Sequence, residues 1–321
     1  MFNNKECLYH YTSAETAIDY ILKNKTLKLG SFRNVNDPKE AKTWPFKFLC
    51  FKSETKELFN SELFDEVHNH IMDRTFVICF KKDDLLNQQQ DEPNSIKGYS
   101  DSRMWSQYAN NHKGVCLVFN KEKLTEKINK IFKNDIIFND FIKYLDYGQV
   151  LLESNQDHDS YMIFFEEMLS LGIDKYLKEH ISKFNKDLFF TKQTCWRDEE
   201  EYRWVVYSNN KTKEKYIPIN DCLEAIVLGN DFDSKYLSQI TCYAKEFGIK
   251  LYKLFNRGWA QHLFECDLEN VYSKDGISLN GISYPIDFYY ELLFTQACNI
   301  NGERKTILLD FPNNGSVILY D

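Results

Sequence analysis

The sequence predicts an α+β fold, with small mixed or antiparallel sheets flanked by helices, and three observations carry that expectation. Short apolar runs and amphipathic stretches mix without the regular strand–helix–strand alternation of a doubly wound sheet. Phe, Tyr and Trp make up 16% of the 321 residues, enough to bury a large core. Gly and Pro number 12 and 6, where average usage gives roughly 22 and 16, which argues against disorder, collagen-like repeats and long linkers.

The elements follow in order. Residues 8–12 (LYHYT) are aromatic and β-favouring. Ser13 caps a helix with Ala17, Ile18, Ile21 and Leu22 at helical spacing, and Asn24-Lys25 ends it. Residues 26–32 (TLKLGSF) alternate as a strand, and 34–38 (NVNDP) form a loop, because Asn, Asp and Pro favour turns. A helix spans 58–74, then a fully apolar strand 74–80 (RTFVICF), as expected where both sheet faces are covered. Residues 83–100 are polar and irregular. A short helix at 103–111 is ended with the help of Gly114. A buried strand at 115–119 (VCLVF) precedes an amphipathic helix at 121–133, with Leu124, Ile128 and Ile131 inward. Residues 161–190 read as mostly helical, 202–207 (YRWVVY) as a strand, 216–219, 225–228 and 250–254 as short strands, and 237–247 as a helix. Beyond Asn256 the pattern changes to two or three strands around a helix at 287–297. The expected organisation is a core domain over 1–256 and an appended strand/helix module over 257–321.

Lys and Arg total 40 against 48 Asp and Glu, a net charge of −8, which disfavours a strongly basic nucleic-acid binder. Only seven of the basic residues are Arg, so each planar guanidinium draws attention as a bidentate anion ligand. Nine widely spaced Cys without a Cys-x-x-Cys pair point to a reduced, cytoplasmic protein without a structural zinc. No apolar stretch approaches 18 residues, so no membrane partner is expected. No dinucleotide-binding glycine motif, P-loop, nucleophile elbow or His-Glu-x-x-His is present. His68-x-His70 points its rings to different helix faces, and Asp157-His-Asp159 reads as a loop.

Three constellations carry candidate chemistry. In a strand, Glu201 and Arg203 share a face, and Glu199 joins them if the strand starts early, with its Cα roughly 6.6 Å from that of Glu201. An Arg keeps a neighbouring carboxylate ionised, and an ionised Glu among aromatics suits a cationic, oxocarbenium-like transition state. The same residues also read as a solvated acidic turn entering a strand. His10 and Thr12 share one face of the first strand, with Tyr9 and Tyr11 on the other. A His and a hydroxyl there can bond a ribose or an amide, or His10 is a satisfied sheet-edge residue. Trp105, Tyr108 and His112 fall at i, i+3 and i+7, a face that stacks a nicotinamide or another base, or that belongs to the core with His112 exposed at the helix end.

In their joint order these motifs resemble the Domain of Unknown Function 2971 family of bacterial and phage-related proteins. The pieces are LYHYTS; Asn36-Asp37-Pro38-x-Glu40; the strand 76–80; Trp105-x-x-Tyr108-Ala109-x-x-His112-x-Gly114; Lys192 before Trp196-x-x-Glu199-x-Glu201-x-Arg203; and Ile226-Val-Leu-Gly229. The resemblance runs from Leu8 to about Leu254. A looser similarity is to ADP-ribosyltransferases, which also carry a His on the first strand and a late Glu-x-Glu on a strand. It implies an ADP-ribosyltransferase-like core with NAD as substrate and no metal. His10 would then hold the adenosine-side ribose, flanked by Tyr11 and Thr12, with Tyr108 or Trp105 stacking the nicotinamide and His112 beside them. Glu201 would be the catalytic carboxylate, Glu199 the acceptor-orienting residue, Arg203 their support, and Asn36 and Asp37 the loop over the site. Two departures stand out: Phe76-Val-Ile-Cys79-Phe80 lacks the Ser or Thr common in the central strand, and Arg203 is unusual after the Glu.

The expected function is an intracellular NAD-consuming ADP-ribosyltransferase-like effector, a toxin or anti-phage defence component cleaving the nicotinamide–ribose bond. The acceptor would be a protein or nucleic acid, and residues 257–321 would offer a partner surface. Two rivals remain: a metal-dependent nuclease, for which Arg203 is a poor substitute for Lys, and a non-enzymatic ligand- or protein-binding sensor.

Overall fold

The computed structural model describes residues 6–42, 44–83, 97–146, 159–212, 214–257, 260–266, 268, 277–279, 282–284, 306–311 and 315–320. Its main strands are β1 (Cys7–Thr12), β2 (Thr26–Ser31), β3 (Lys47–Leu49), β4 (Thr75–Lys82), β5 (Val115–Asn120), β6 (Ile136–Phe141), β7 (Lys143–Leu145), β8 (Met162–Phe164), β9 (Thr191–Gln193), β10 (Glu201–Tyr207), β11 (Lys215–Pro218), β12 (Leu223–Leu228), β13 (Lys250–Arg257) and β14 (Ala260–Glu265). Mixed sheets flanked by helices result, as the residue pattern predicts. The chain divides into two compact units, the first from Met1–His10, Lys25–Gly98 and Asn120–Cys222, the second from Tyr11–Asn24, Tyr99–Phe119 and Leu223–Asp321.

In the first unit β4 is the hub. One edge pairs antiparallel with β10 along its length, from Glu201↔Lys81 to Tyr207↔Thr75, and β6 continues beyond β10. The other edge is divided. β2 meets it at Gly30↔Val77 and Ser31↔Phe76, and β1 at Tyr9↔Lys81 and Leu8↔Lys82. β11 extends β2, and β3–β8 and β7–β9 form small parallel pairs. Every residue of β10 is buried, so alternation sends side chains into two separate interiors. Val205 and Tyr207 enter a core with Phe32, Trp44, Ile71, Leu177 and Phe189. The helices Glu62–Met72 and Ile173–Phe189 supply much of it, the former burying Val67, Ile71 and Met72. On the other face Trp204 meets Phe80 and Tyr202 edge-on, at 5.6 and 5.0 Å between ring centres.

In the second unit β5 pairs antiparallel with β12, β12 parallel with β13, and β13 antiparallel with β14. The helix Leu237–Phe247 makes the β12–β13 crossover and ends at Gly248, which takes φ 64°, a left-handed cap conformation that glycine adopts without a Cβ penalty.

Several elements depart from their predicted bounds. The helix expected over 58–74 is Glu62–Met72, preceded by a single turn at Ser53–Lys56. The helix expected over 103–111 is Ser102–Tyr108; Asn110, Asn111 and His112 all take positive φ, which Asn tolerates and a helix does not. The stretch 161–190 holds β8 and two helices, Phe165–Leu171 and Ile173–Phe189, broken where Gly172 takes φ 78°. β13 runs three residues past the strand predicted over 250–254, to Arg257. The helix expected at 287–297 and the loop at Asp157-His158 lie outside the described residues; beyond β14 the described strands form two antiparallel pairs, Ile277–Leu279 with Ile282–Tyr284 and Thr306–Phe311 with Gly315–Tyr320. Among the described residues no helix is long and apolar enough to cross a membrane.

Two glycines in the second unit admit no side chain. A Cβ on Gly229 would lie 2.1 Å from the His112 carbonyl oxygen, and one on Gly114 2.2 Å from that of Thr12. Both obstacles are backbone, so Gly229→Ala and Gly114→Ala should each lower unfolding free energy by about 1–3 kcal/mol. Urea denaturation checks this; an unchanged midpoint for either contradicts the packing described.

Candidate functional site

Arg203 has no exposed surface. It stands on β10 opposite Cys79, two residues from Glu201, which stands opposite Lys81. Strand alternation therefore puts Glu201 and Arg203 on one face, and they bond: Nε donates to Oε1 at 2.5 Å and Nη2 to Oε2 at 2.9 Å. Nη1 donates to Oε1 of Glu40 at 2.6 Å and to the Phe189 carbonyl at 3.0 Å. One planar guanidinium thus holds two carboxylates and a helix C-terminus.

Glu40 arrives on the short helix Pro38–Ala41. Asp37 caps that helix by accepting from the Lys39 amide at 2.9 Å, and Pro38 sits in its first turn, where its missing N–H costs nothing. The Trp44 indole donates to the Glu40 carbonyl at 3.0 Å and anchors its other end.

A second cation completes the cluster. Lys192 on β9 is buried; its Nζ lies 2.6 Å from Oε2 of Glu201, 3.1 Å from Oε2 of Glu199 and 3.6 Å from Oε2 of Glu40. Glu199 does not join the strand. It ends the 3-10 segment Thr194–Glu199, and Glu200, at φ 43° and ψ 49°, reverses the chain into β10. Lys81 fixes that reversal by reaching Glu200 at 3.0 Å and the Asp198 carbonyl at 3.1 Å. Tyr144, opposite Lys192 on β7, accepts from the Glu201 amide at 3.0 Å.

The electrostatics follow from three carboxylates facing two cations. Burial alone would raise the Glu201 pKa, but Arg203 and Lys192 overcome it and hold the carboxyl down to about 2. Burial raises Glu40 above the ordinary glutamate value, with Arg203 and Lys192 opposing, so Glu40 is the carboxyl displaced toward its protonated form. Burial works against the charges of Lys192 and Arg203, yet Glu201 and Glu40 hold both above their ordinary values. Burial, then the Glu201 charge, pushes the Cys79 thiol up. Among the described residues no three His, Cys, Asp or Glu side chains are arranged to hold a metal ion; the Lys192 ammonium fills the point where the Glu oxygens meet.

The other candidate residues lie elsewhere. His10 is one residue beyond Tyr9, which opposes Lys81, so its ring emerges on the sheet face opposite Glu201. There it packs 5.6 Å from Phe80, and its Nδ1 donates to the Cys79 carbonyl at 3.2 Å, bonding β4 where β1 leaves it. Burial lowers its pKa, keeping the imidazole neutral. Asn36 is exposed in the loop before the Asp37 cap. Tyr11, Thr12, Trp105, Tyr108 and His112 belong to the second unit. Trp105 is fully buried, takes Tyr11 edge-on at 5.1 Å, stacks on His112 at 6.2 Å and 15°, and donates to the Tyr99 carbonyl at 2.7 Å. His112 is half-buried, with its Nδ1 buried and unpartnered. Thr12 is buried, and the half-buried Tyr108 accepts from Gln107 at 3.3 Å. Glu199, Glu201 and Arg203 are therefore brought together and His10 is not. Glu40 and Lys192, both present in the quoted motifs, are the members that local spacing missed.

Removing one partner from a buried ion cluster strands the others. Arg203→Met should cost about 3–5 kcal/mol by urea denaturation; a loss below 1 kcal/mol would show that the carboxylates find other partners. Glu201 also dictates a pH dependence. Its folded pKa, about 2, lies below the ordinary 4.5, so its stabilisation is complete above the unfolded value and is lost as pH falls toward 2. Glu201→Gln should lose stability less steeply than the parent protein between pH 5 and pH 3; parallel curves would contradict the assignment.

No curated protein and no solved structure matches the chain. Residues 104–204 match the family described as Protein of unknown function (DUF2971), so the resemblance to that family holds over the segment that runs from the Trp105 helix to the Glu201–Arg203 strand.

Proposed function

We propose that the chain is an NAD-consuming ADP-ribosyltransferase-like effector that cleaves the nicotinamide–ribose bond, with Glu201 as the stabilising anion. One observation supports it: a carboxylate kept ionised in a nearly dry place, with Arg203 and Lys192 fixing both its oxygens. As the C1′–nitrogen bond breaks, its electron pair leaves with neutral nicotinamide and positive charge grows on the ribose. A fixed anion stabilises that charge without reorganising, and a low dielectric strengthens the effect. The acceptor's nucleophilic atom then bonds C1′ and gives up its proton.

Glu199 shares the Lys192 ammonium with Glu201 and is the carboxylate placed to orient an acceptor. Trp196, whose ring centre lies 5.3 Å from the Lys192 Nζ, offers an aromatic wall. The segment Thr194–Glu199 exposes Cys195, Arg197 and Asp198 while burying Glu199, and its displacement is what would open the carboxylates to substrate. His10 serves strand joining in this scheme, not ribose binding. The similarity to bacterial and phage-related proteins suggests an effector of the toxin or phage-defence kind, acting on a protein or nucleic acid.

The test is turnover of NAD by the full chain, alone and with magnesium, cell lysate or nucleic acid, following free nicotinamide. Release by the parent protein, reduced about 100-fold or more in folded Glu201→Gln, is the expected result. No release under any condition, with no NAD binding by calorimetry, would refute it. Magnesium-dependent nucleic-acid cleavage would instead establish the nuclease.

A further inference from the structure

Exposed apolar side chains of the first unit gather beside the β3–β8 pair. Among the described residues nine large apolar side chains are exposed, and five of them are Phe51, Leu58, Phe59, Phe164 and Leu169. Single exposed apolar residues are ordinary, but a gathered group marks an interaction site. Phe51 is 74% exposed and stacks on Phe164, with ring centres 6.5 Å apart and planes at 19°. Phe59 stands edge-on to Phe48, Phe64 and Phe165 at 5.5, 5.7 and 6.0 Å. Phe165 belongs to the core and Phe48 packs against it, so Phe59 rests on the core itself.

The backbone that presents Phe51 is fixed. Glu166, on the helix Phe165–Leu171, accepts at Oε1 from the amides of Phe51 and Lys52 at 2.7 and 3.0 Å and from the Thr55 hydroxyl at 2.8 Å. Three bonds to one oxygen hold residues 51–55 against that helix, so backbone ordering that binding would otherwise demand is already in place. The segments that carry the patch, 47–66 and 162–171, hold three Lys against seven Asp or Glu. Glu54, Glu57, Glu62 and Glu167 are exposed, and none of the four forms an ion pair among the described residues.

A second copy of the chain fits this surface poorly. In a closed twofold pair each patch faces itself, which sets like charges against one another, whereas a cationic partner is complementary. We propose that the patch docks a basic, apolar segment of a partner protein. Phe51 and Phe164 are its anchors, and the four unpaired carboxylates are the rim that receives lysine or arginine. An aromatic centre inside a polar rim is the arrangement in which binding energy concentrates.

Fluorescence anisotropy on the full-length protein at physiological salt tests this with three labelled synthetic peptides of equal length, one of Leu and Lys, one of Leu and Glu, one of Ser and Lys. The Leu/Lys peptide should bind, and Phe51→Ser should weaken it about tenfold, the order expected for loss of one aromatic anchor. Phe51 is exposed, so that variant should keep the parent's urea midpoint. The Ser/Lys peptide should bind parent and Phe51→Ser alike, and Glu57→Lys with Glu167→Lys should weaken the Leu/Lys peptide severalfold. No binding of the Leu/Lys peptide, equal binding of the Leu/Glu peptide, or an affinity that ignores Phe51→Ser overturns the proposal. A dimer seen by sedimentation and lost in Phe51→Ser also overturns it, by making a second copy the occupant.

Discussion

A guanidinium with no exposed surface has to find its anions inside the protein, and Arg203 draws the first unit together in doing so. An unpaired buried cation costs several kcal/mol, so the fold must deliver partners in three directions. Glu201 comes from the same strand, Glu40 from a short capped helix 163 positions earlier in the chain, and the Phe189 carbonyl from a helix end. Each donor fixes the element that carries it. The Asp37 cap and the Glu200 reversal make sense as devices that aim Glu40 and Glu199 at a point decided elsewhere.

Such a cluster specifies more than it stabilises. Desolvating five charged groups offsets much of their mutual attraction, and an apolar replacement of the whole set can be as stable. What charges add is register: a one-residue slip of β10 would turn Arg203 toward the aromatic face that holds Trp204, Phe80 and His10. The same fixation keeps Glu201 ionised in a place from which water is largely excluded, and this condition connects the fold to the proposed chemistry.

The strand-scale features were legible in the sequence because alternation is a local property. It put Glu201 and Arg203 on one face, and the apolar runs at β4 and β5 announced strands covered on both sides. Partners distant in sequence were not legible: Lys192 and Glu40 carried no local sign of convergence. His10 shows the complementary limit. Alternation separates it from Tyr9 and Tyr11, but only the register of β1 on β4 reveals that its face is not that of Glu201. Helix ends were read too generously where Asn110, Asn111 and His112 turn left-handed, and the short strands β3, β7, β8 and β9, three residues each, are too brief for any period to register.

The claim on which all of this depends is that Arg203 bonds Glu40 and Glu201 together, and a double-mutant cycle between Glu40→Gln and Arg203→Met, read by urea denaturation at pH 7, tests it most directly. The account predicts a coupling energy of about 0.5–3 kcal/mol between the two sites. Losses that add to within about 0.5 kcal/mol would contradict it, showing that Glu40 and Arg203 act independently and that the cluster is not one unit.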